Sequence, residues 1–527
     1  MNIKNAKKIG FFAALSISLG SVVGIGIFLK NISIIKAQMI DGSNQFSFIS
    51  LIVSWVLGSV ISLCAAYSFT EIATCKIGKS GLSGWVETLG GKKQGRFVKI
   101  AHSGIYFSIL GSVIPMLAVE GMFSAINTAV NGKDAAPIHF GWVFFAGIIV
   151  FITLSCWNFF SIKSSSKFQT LGTFVKIIPL TLVIIIGFVG ANNSHILNNN
   201  SAVVDGVNTE TGLPVIGIPT TSTFNVSGMF LALPAILFSF DSFLAIGNLG
   251  NDVKNPQKTV PLVAVVTIII AAIIYIFISI GAGLTGTGDA AGIIQTIVGK
   301  NNEAALNTIN IIVNILITLS AIFVSNAISM ASIRASESLV EDHNIMFYGF
   351  FEKLNNKKEN LGGFVLYLMQ CFFYMLIFGI PAVVMNSDAI LDSATNAPVV
   401  LFFLVYAYTL FLGIKDRYTK KQCKPVKGTV ITSSFAILFI LIVFVYIFFY
   451  QNIYVVSITA NNTSNSGLFF THGVKWTVQN DAILFWTIFV WMIIWPLLNM
   501  YITNKQKGNE ISKVKIELQD EKIQISE

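Results

Sequence analysis

The chain has 527 residues, of which 54% are hydrophobic and only 11% charged, against roughly 25% charged in soluble domains. Phenylalanine alone contributes 44 residues. This composition excludes a soluble globular protein, and the formal net charge of +9 reads as a membrane-topology signal rather than as affinity for nucleic acid.

Twelve spans of about 20–25 residues fit the apolar segments. They are predicted near 11–37, 46–69, 101–131, 138–160, 168–190, 226–250, 260–286, 304–334, 364–387, 395–414, 428–451 and 479–503, which makes an all-α membrane protein of twelve transmembrane helices. Of the 34 lysines and arginines, 28 fall on the two tails and the loops of their side. Five lie on the other face (Lys30, Lys36, Lys133, Lys300 and Lys475), and Lys176 lies inside a span. The positive-inside rule then places both termini in the cytoplasm, with the plasma membrane as the expected location. The first apolar segment is too long for a cleavable signal peptide and lacks a small-residue cleavage site. Cys64, Cys75, Cys156, Cys371 and Cys423 lie in spans or cytoplasmic loops, with no CxxC pair and no external disulfide candidate. They are expected to be structural thiols.

Span 1 contains Leu19-Gly20-Ser21-Val22-Val23-Gly24-Ile25-Gly26-Ile27-Phe28. Each glycine costs about 1 kcal/mol in a helix interior. An opened turn also needs partners for its backbone groups, which lipid does not supply. Such a break is tolerated where it lines a cavity, and the half-helix ends then hold a ligand. The plainer alternative is close helix packing through Gly20-xxx-Gly24.

This stretch resembles the first helix of the amino acid–polyamine–organocation (APC) superfamily of permeases. That helix reads roughly Gly-Ser-x-x-Gly-x-Gly-Ile-Phe, and Gly20, Ser21, Gly24, Gly26, Ile27 and Phe28 stand in step with it. The resemblance covers most of the chain. It implies a LeuT-like 5+5 inverted repeat with helices 1 and 6 broken. Residues 1–190 would form the first five-helix repeat with its N-terminal tail and 191–225 an external loop. Residues 226–414 would form the second repeat, 415–503 helices 11 and 12, and 504–527 a charged tail, solvated or partly disordered.

Residues 70–100 form an expected cytoplasmic loop, with Glu71, Ser80-Gly81-Leu82-Ser83-Gly84-Trp85 and Leu89-Gly90. It resembles the superfamily loop Tyr-x-Glu-Leu-x-x-x-x-Pro-x-x-Gly-Gly-x-Tyr, without its proline and with Leu82 at the second glycine. Gly84–Lys92 also parallels Gly292–Lys300 at an offset of 208, one copy on each side of the membrane, as an inverted repeat would give. Glu120 in span 3 is an intramembrane acid, read as a vestibule or headgroup group in preference to a coupling group. Asn192, Asn225, Asn461 and Asn462 begin N-x-S/T triplets that composition alone explains.

Span 6 carries Phe238-Ser239-Phe240-Asp241-Ser242-Phe243 and then Asp252-Val253-Lys254-Asn255-Pro256-Gln257-Lys258-Thr259-Val260-Pro261. A mid-span carboxylate is costly and usually faces a cavity. The pattern resembles bacterial relatives of the L-type amino acid exchangers, roughly Phe-Ala-Tyr-Asp-Gly-Trp followed by Glu-x-Lys-Asn-Pro-x-Lys-x-x-Pro. Ser242, Phe243 and Asp252 replace that pattern's glycine, tryptophan and glutamate.

The resemblance implies a binding site for a free amino acid. The amides of Ile25 and Gly26, with Ser21 and Gly24 nearby, would hold its carboxylate at a helix N-terminus. The carbonyls of Val22, Phe238 and Asp241 would hold its ammonium, and Phe243 would shield it from the outer vestibule. The Asp241 side chain would bind a cationic substrate, accept a coupling proton or cap the break, the last being favoured. Lys176 in span 5 would take the place of a sodium ion against span 1, either titrating or serving as a permanently charged strut. Asn326 and Ser329 of span 8 would be its polar neighbours.

There is no P-loop, HExxH, GxSxG or zinc spacing, and the five histidines are dispersed. No catalytic residue, metal or cofactor is expected. The expected function is secondary transport of amino acids by alternating access, as proton-coupled symport or exchange. The partners are the amino acid, protons and the bilayer. The alternatives are a transporter-like amino acid sensor and, behind it, a membrane-embedded transferase.

Overall fold

The computed structural model describes residues 9–24, 26–27, 34–40, 45–75, 81–132, 138–191, 203–204, 207–208, 220–285, 303–462, 464, 466–467 and 476–526. In chain order its helices are α1 (Phe11–Val22), α2 (Phe48–Ile72), α3 (Gly81–Gly90), α4 (Lys92–Ala101), α5 (Ser108–Asn131), α6 (Phe140–Phe160), α7 (Ile162–Ala191), α8 (Val226–Phe240), α9 (Pro256–Thr285), α10 (Glu303–Glu341), α11 (Tyr348–Lys357), α12 (Leu361–Met385), α13 (Ala389–Tyr418), α14 (Thr429–Val445) and α15 (Val478–Ser526). A π-helical segment, His102–Phe107, joins α4 to α5, so that Lys92–Asn131 runs as one span of 40 residues.

Eleven described helices are long and apolar enough to cross a membrane, and they fall on predicted spans 2 to 12. Span 1 is represented by the 12 residues of α1, and residues 28–33 of that span lie outside the described part. Outward faces are apolar at helical spacing: Trp142, Phe145, Ile149 and Ile152 of α6 are all exposed, the pattern of a stripe facing lipid. The core is built on α5 against α10 and α2 against α9. Trp55, Phe69, Tyr106, Phe240, Tyr275 and Tyr406 are essentially fully buried in it.

Three parts differ from expectation. Residues 70–100 are mostly helical, because α2 runs on to Ile72 and α3 and α4 follow. Gly81 at the start of α3 has φ +39°, and a Cβ there would lie 2.9 Å from the backbone of Gly247. This glycine therefore permits the close approach that seats α3 on the segment after α8. The tail is helical as well: α15 continues to Ser526 through a run of lysine, glutamate and glutamine, which are good helix formers. Finally, Cys75 and Cys423 form a disulfide across a sequence separation of 348, where free structural thiols were expected. The second copy of the short repeat, 292–300, lies outside the described residues.

The disulfide sits where Glu71 gathers the neighbouring chain. Glu71 Oε2 accepts from Arg417 Nη1 at 3.0 Å, from the Val426 amide at 2.9 Å and from Thr429 Oγ1. Glu71 is buried and Arg417 mostly so. Removing one member of a buried ion pair leaves its partner uncompensated. Glu71→Ala should therefore destabilise the protein by roughly 2–4 kcal/mol, read as a lower melting temperature of purified protein in detergent. An unchanged melting temperature would mean that this junction adds nothing to the fold.

Candidate functional site

The site begins with the C-terminus of α1. The chain leaves the helix at Val22, and Val23 is extended, with φ −80° and ψ 104°. The last carbonyls of a helix lack intrahelical partners, and here two other helices supply them. Lys176 Nζ of α7 donates to Gly20 O and to Val23 O, both at 2.9 Å. Tyr275 Oη of α9 donates to Val22 O at 2.8 Å and lies 3.2 Å from Ser239 O of α8. A cation at a helix C-terminus also complements the helix dipole. Lys176 is buried, and no carboxylate among the described residues pairs with it.

The second helix end is that of α8. It stops at Phe240, the chain turns through Asp241–Leu244, and a 3₁₀ segment follows from Ala245 to Asp252. Ser242 in this turn has φ +66°, a conformation uncommon for a residue other than glycine. The buried Asp241 carboxylate is held on both oxygens. Tyr106 Oη donates to Oδ2 and Tyr406 Oη to Oδ1, the latter at 3.1 Å. Tyr106 sits in the π segment between α4 and α5, the kind of helix irregularity often found at functional sites. Its hydroxyl also lies 3.1 Å from Ser242 Oγ.

The two helix ends touch. A Cβ on Gly26 would lie 2.8 Å from Ser239 Cα. Tyr275 packs edge-on to Trp55, with ring centroids 5.5 Å apart, and against Phe240 at 5.2 Å. Between the ends lies a cavity of about 30 Å³. Ser21, Val22 and Gly26 form its first wall and Phe238, Asp241 and Ser242 its second; Leu110, Ile114, Val324 and Ile328 close it with apolar surface. This space fits a water molecule or two.

The expected residues thus fall into distinct places. Ser21, Val22, Gly26, Phe238 and Asp241 line the cavity. Gly24 is not in its wall; it packs against Val324, and a Cβ there would lie 3.6 Å from Lys176 Nζ. Ile25 lies outside the described residues. Phe243 is fully buried with its ring against Tyr406, 5.6 Å between centroids, and does not line the cavity. Lys176 Nζ bonds to Gly20 O and Val23 O, and the Asn326 side chain is engaged elsewhere. It accepts from Asn158 at 3.1 Å and from Ser165 at 2.9 Å, and donates to Gln169 at 3.0 Å. Ser329 stands beside Tyr367. Among the described residues, the one trio of clustered metal-ligand types is Cys75, Asp416 and Cys423, and its two sulfurs are bonded to each other.

Tyr106, Tyr275 and Tyr406 hold the two helix ends and are not among the residues expected from the sequence. A tyrosine in the middle of an apolar span carries a hydroxyl that needs a partner when buried, and that was the available signal.

The bundle has the LeuT-like fold. It aligns with the crystal structure of MhsT in complex with L-phenylalanine at a TM-score of 0.52 and 14% identity, covering 83% of this chain and 98% of that one. Residues 9–465 match the amino acid permease family, and the chain belongs to that family. It is 25% identical over 273 residues to the serine/threonine exchanger SteT of Bacillus subtilis, which covers 52% of this chain and 54% of that protein. It is 24% identical over 290 residues to the glutamate/serine transporter AimA of the same organism, covering 52% and 47%. An uncharacterized protein of Mycoplasma pneumoniae is 24% identical over 377 residues, 67% of this chain and 64% of that one. The chain thus spans about half to two thirds of the length of these relatives.

Tyr275→Phe keeps the ring packing and removes the donor that serves Val22 O. It should cost about 1–2 kcal/mol, the penalty of a buried acceptor left without its partner. Thermal unfolding in detergent would register the loss, and a variant as stable as the parent would show that the hydroxyl does not hold the helix ends.

Proposed function

We propose that this permease carries small neutral amino acids across the cell membrane by alternating access, without sodium, as a proton symporter or exchanger. Its two five-helix halves would be inverted repeats, and both termini would face the cytoplasm. The observation that carries the reading is the cavity between the ends of α1 and α8. It offers backbone and hydroxyl groups from both ends to the polar part of a free amino acid.

The side-chain preference follows from what surrounds that cavity. Asp241 is engaged by two tyrosine hydroxyls, so it shapes the site rather than seeking a cationic side chain. Among the described residues no lysine or arginine lines the cavity to pair with an acidic one, and the remaining wall is apolar and close. The names of two relatives, a serine/threonine exchanger and a glutamate/serine transporter, support serine as the first substrate to test.

The absence of sodium coupling follows from Lys176. Its ammonium already occupies the carbonyls at the end of α1. A sodium ion about 4 Å away would be repelled by roughly 4 kcal/mol at an effective dielectric of about 20. Counterflow of labelled serine in proteoliposomes should proceed equally in sodium and in choline buffers at matched pH. Other small neutral amino acids should compete, whereas lysine, arginine and ornithine should not. No counterflow with any amino acid would favour a sensor, and a large stimulation by sodium would mean that the ion site is intact.

Gly26→Val should abolish this counterflow while leaving membrane insertion intact. The added branched side chain would strike Ser239, whose Cα is 2.8 Å from the new Cβ, and would force the two helix ends apart. Uptake at the parental rate would take α1 and its extension out of the site.

A further inference from the structure

We propose that Cys75, Asp416 and Cys423 form a zinc-binding site at the junction of α2 and α13 once the two sulfurs are reduced. Cys75 follows the end of α2, Asp416 lies in the last turn of α13, and Cys423 lies in the segment between α13 and α14. All three are buried, with exposures of 1%, 3% and 6%. The two sulfurs and a carboxylate oxygen of Asp416 lie within 4.8 Å of one another. Zinc takes thiolate and carboxylate ligands in tetrahedral geometry, and a Zn–S distance of about 2.3 Å sets two sulfurs roughly 3.8 Å apart. Reduction frees the sulfurs to part to that spacing.

The Asp416 carboxylate is what a disulfide alone leaves unexplained. Its Oδ2 accepts from the amides of Gln422 at 2.8 Å and Cys423 at 3.0 Å, which fixes the chain that carries Cys423. Its Oδ1 is buried and has no hydrogen-bond partner among the described residues. A buried oxygen left in that state is costly, and a disulfide has no N–H or O–H to offer it. A metal ion beside the sulfurs engages it. Glu71, the neighbouring acid, is instead paired with Arg417. Two thiolates and one carboxylate leave a net negative charge on the zinc complex. The segment that carries Cys423 also holds the exposed Lys420, Lys421 and Lys424, and nearby cations favour the thiolate form of cysteine.

The step from the bonded form is a thiol–disulfide exchange. A dithiol reductant gives two electrons and two protons to the Cys75–Cys423 bond and closes its own disulfide, leaving two thiols. Zinc then replaces the two thiol protons, which pass to solvent, and water fills the fourth position. With the termini in the cytoplasm, as proposed above, this junction lies in a compartment that keeps thiols reduced. Occupancy in the cell rests on that topology, whereas binding by the reduced protein does not. The ion would tie the end of α2 to α13, the helix that brings Tyr406 to Asp241.

Cobalt, a spectroscopic stand-in for zinc, tests the site in the full-length protein, purified without a histidine tag and reduced with a dithiol. The reduced parent should show the near-ultraviolet thiolate-to-cobalt band and the visible bands of a tetrahedral ion, and added zinc should bleach both. The oxidised parent should show neither. Cys75→Ser and Cys423→Ser, either of which serves should the other not fold, should bind the ion roughly tenfold more weakly or worse. Asp416→Asn keeps an acceptor for the Gln422 and Cys423 amides; it should retain the thiolate band, alter the visible bands and weaken binding. A reduced parent without the bands overturns the proposal and leaves a thiol–disulfide pair beside a carboxylate. Bands unchanged in both cysteine variants also overturn it, since the metal would then sit on other thiols, and so do parental bands and affinity in Asp416→Asn. A disulfide in protein from cells whose thiols were blocked at lysis would defeat the cytoplasmic placement and leave the cobalt result standing.

Discussion

Backbone groups freed inside a membrane must find partners within the protein, and the site is organised by that requirement. The α1 helix ends at Val22 and α8 at Phe240, both in the interior. Lipid cannot satisfy the carbonyls exposed there. Lys176 and Tyr275 do so from α7 and α9, and the positions of those helices relative to α1 follow from it. The same requirement explains why a lysine with no carboxylate partner among the described residues is tolerated in the bundle. Its charge is met by two carbonyl dipoles and by the negative end of α1.

The second helix end solves the complementary problem. A buried carboxylate must be hydrogen-bonded, and Asp241 draws donors from the π segment before α5 and from α13. Two further helices are thereby tied to the turn after α8. Tyr275 links the two ends, since one hydroxyl reaches a carbonyl of each. Together these contacts bring five helices and the π segment onto one small cavity.

This arrangement was partly legible in the sequence. Gly24 and Gly26 in an apolar span, Asp241 in mid-span and Lys176 in mid-span are each costly where they stand, and cost is what a single sequence displays. The tyrosines were not legible because an aromatic residue in an apolar span is ordinary, and its partner lies far along the chain. Tyr275 and Val22 are separated by 253 residues. The same distance hid the pairing of Cys75 with Cys423. Phe243 stands where the related pattern has a tryptophan, but the turn at Ser242 directs the ring toward Tyr406. Asn326 and Ser329 lie on the expected helix but face Gln169 and Tyr367. Rotation about a helix axis is not set by the identity of one residue.

The site is also joined to the end of the bundle that carries the termini. The 3₁₀ segment after Asp241 ends at Asp252, whose carbonyl accepts the Ile9 amide at 2.7 Å, and the Lys254 amide returns a bond to Ile9 O at 3.0 Å. The Asp252 carboxylate lies 3.2 Å from Arg334 Nε, and Arg334 pairs with Glu337 at 2.7 Å. Arg334 belongs to α10, the same unbroken helix that lends Val324 and Ile328 to the cavity. Ten residues of α-helix span about 15 Å, so cavity wall and ion pair move as one body. Arg334 and Asp252 are each partly exposed, and an ion pair of that kind contributes about 1 kcal/mol or less. It is too weak to serve as a strut for the fold. A contact that weak, with a rigid helix at one end and the segment after Asp241 at the other, leaves the register of these two elements to the backbone bonds of Ile9 and to packing.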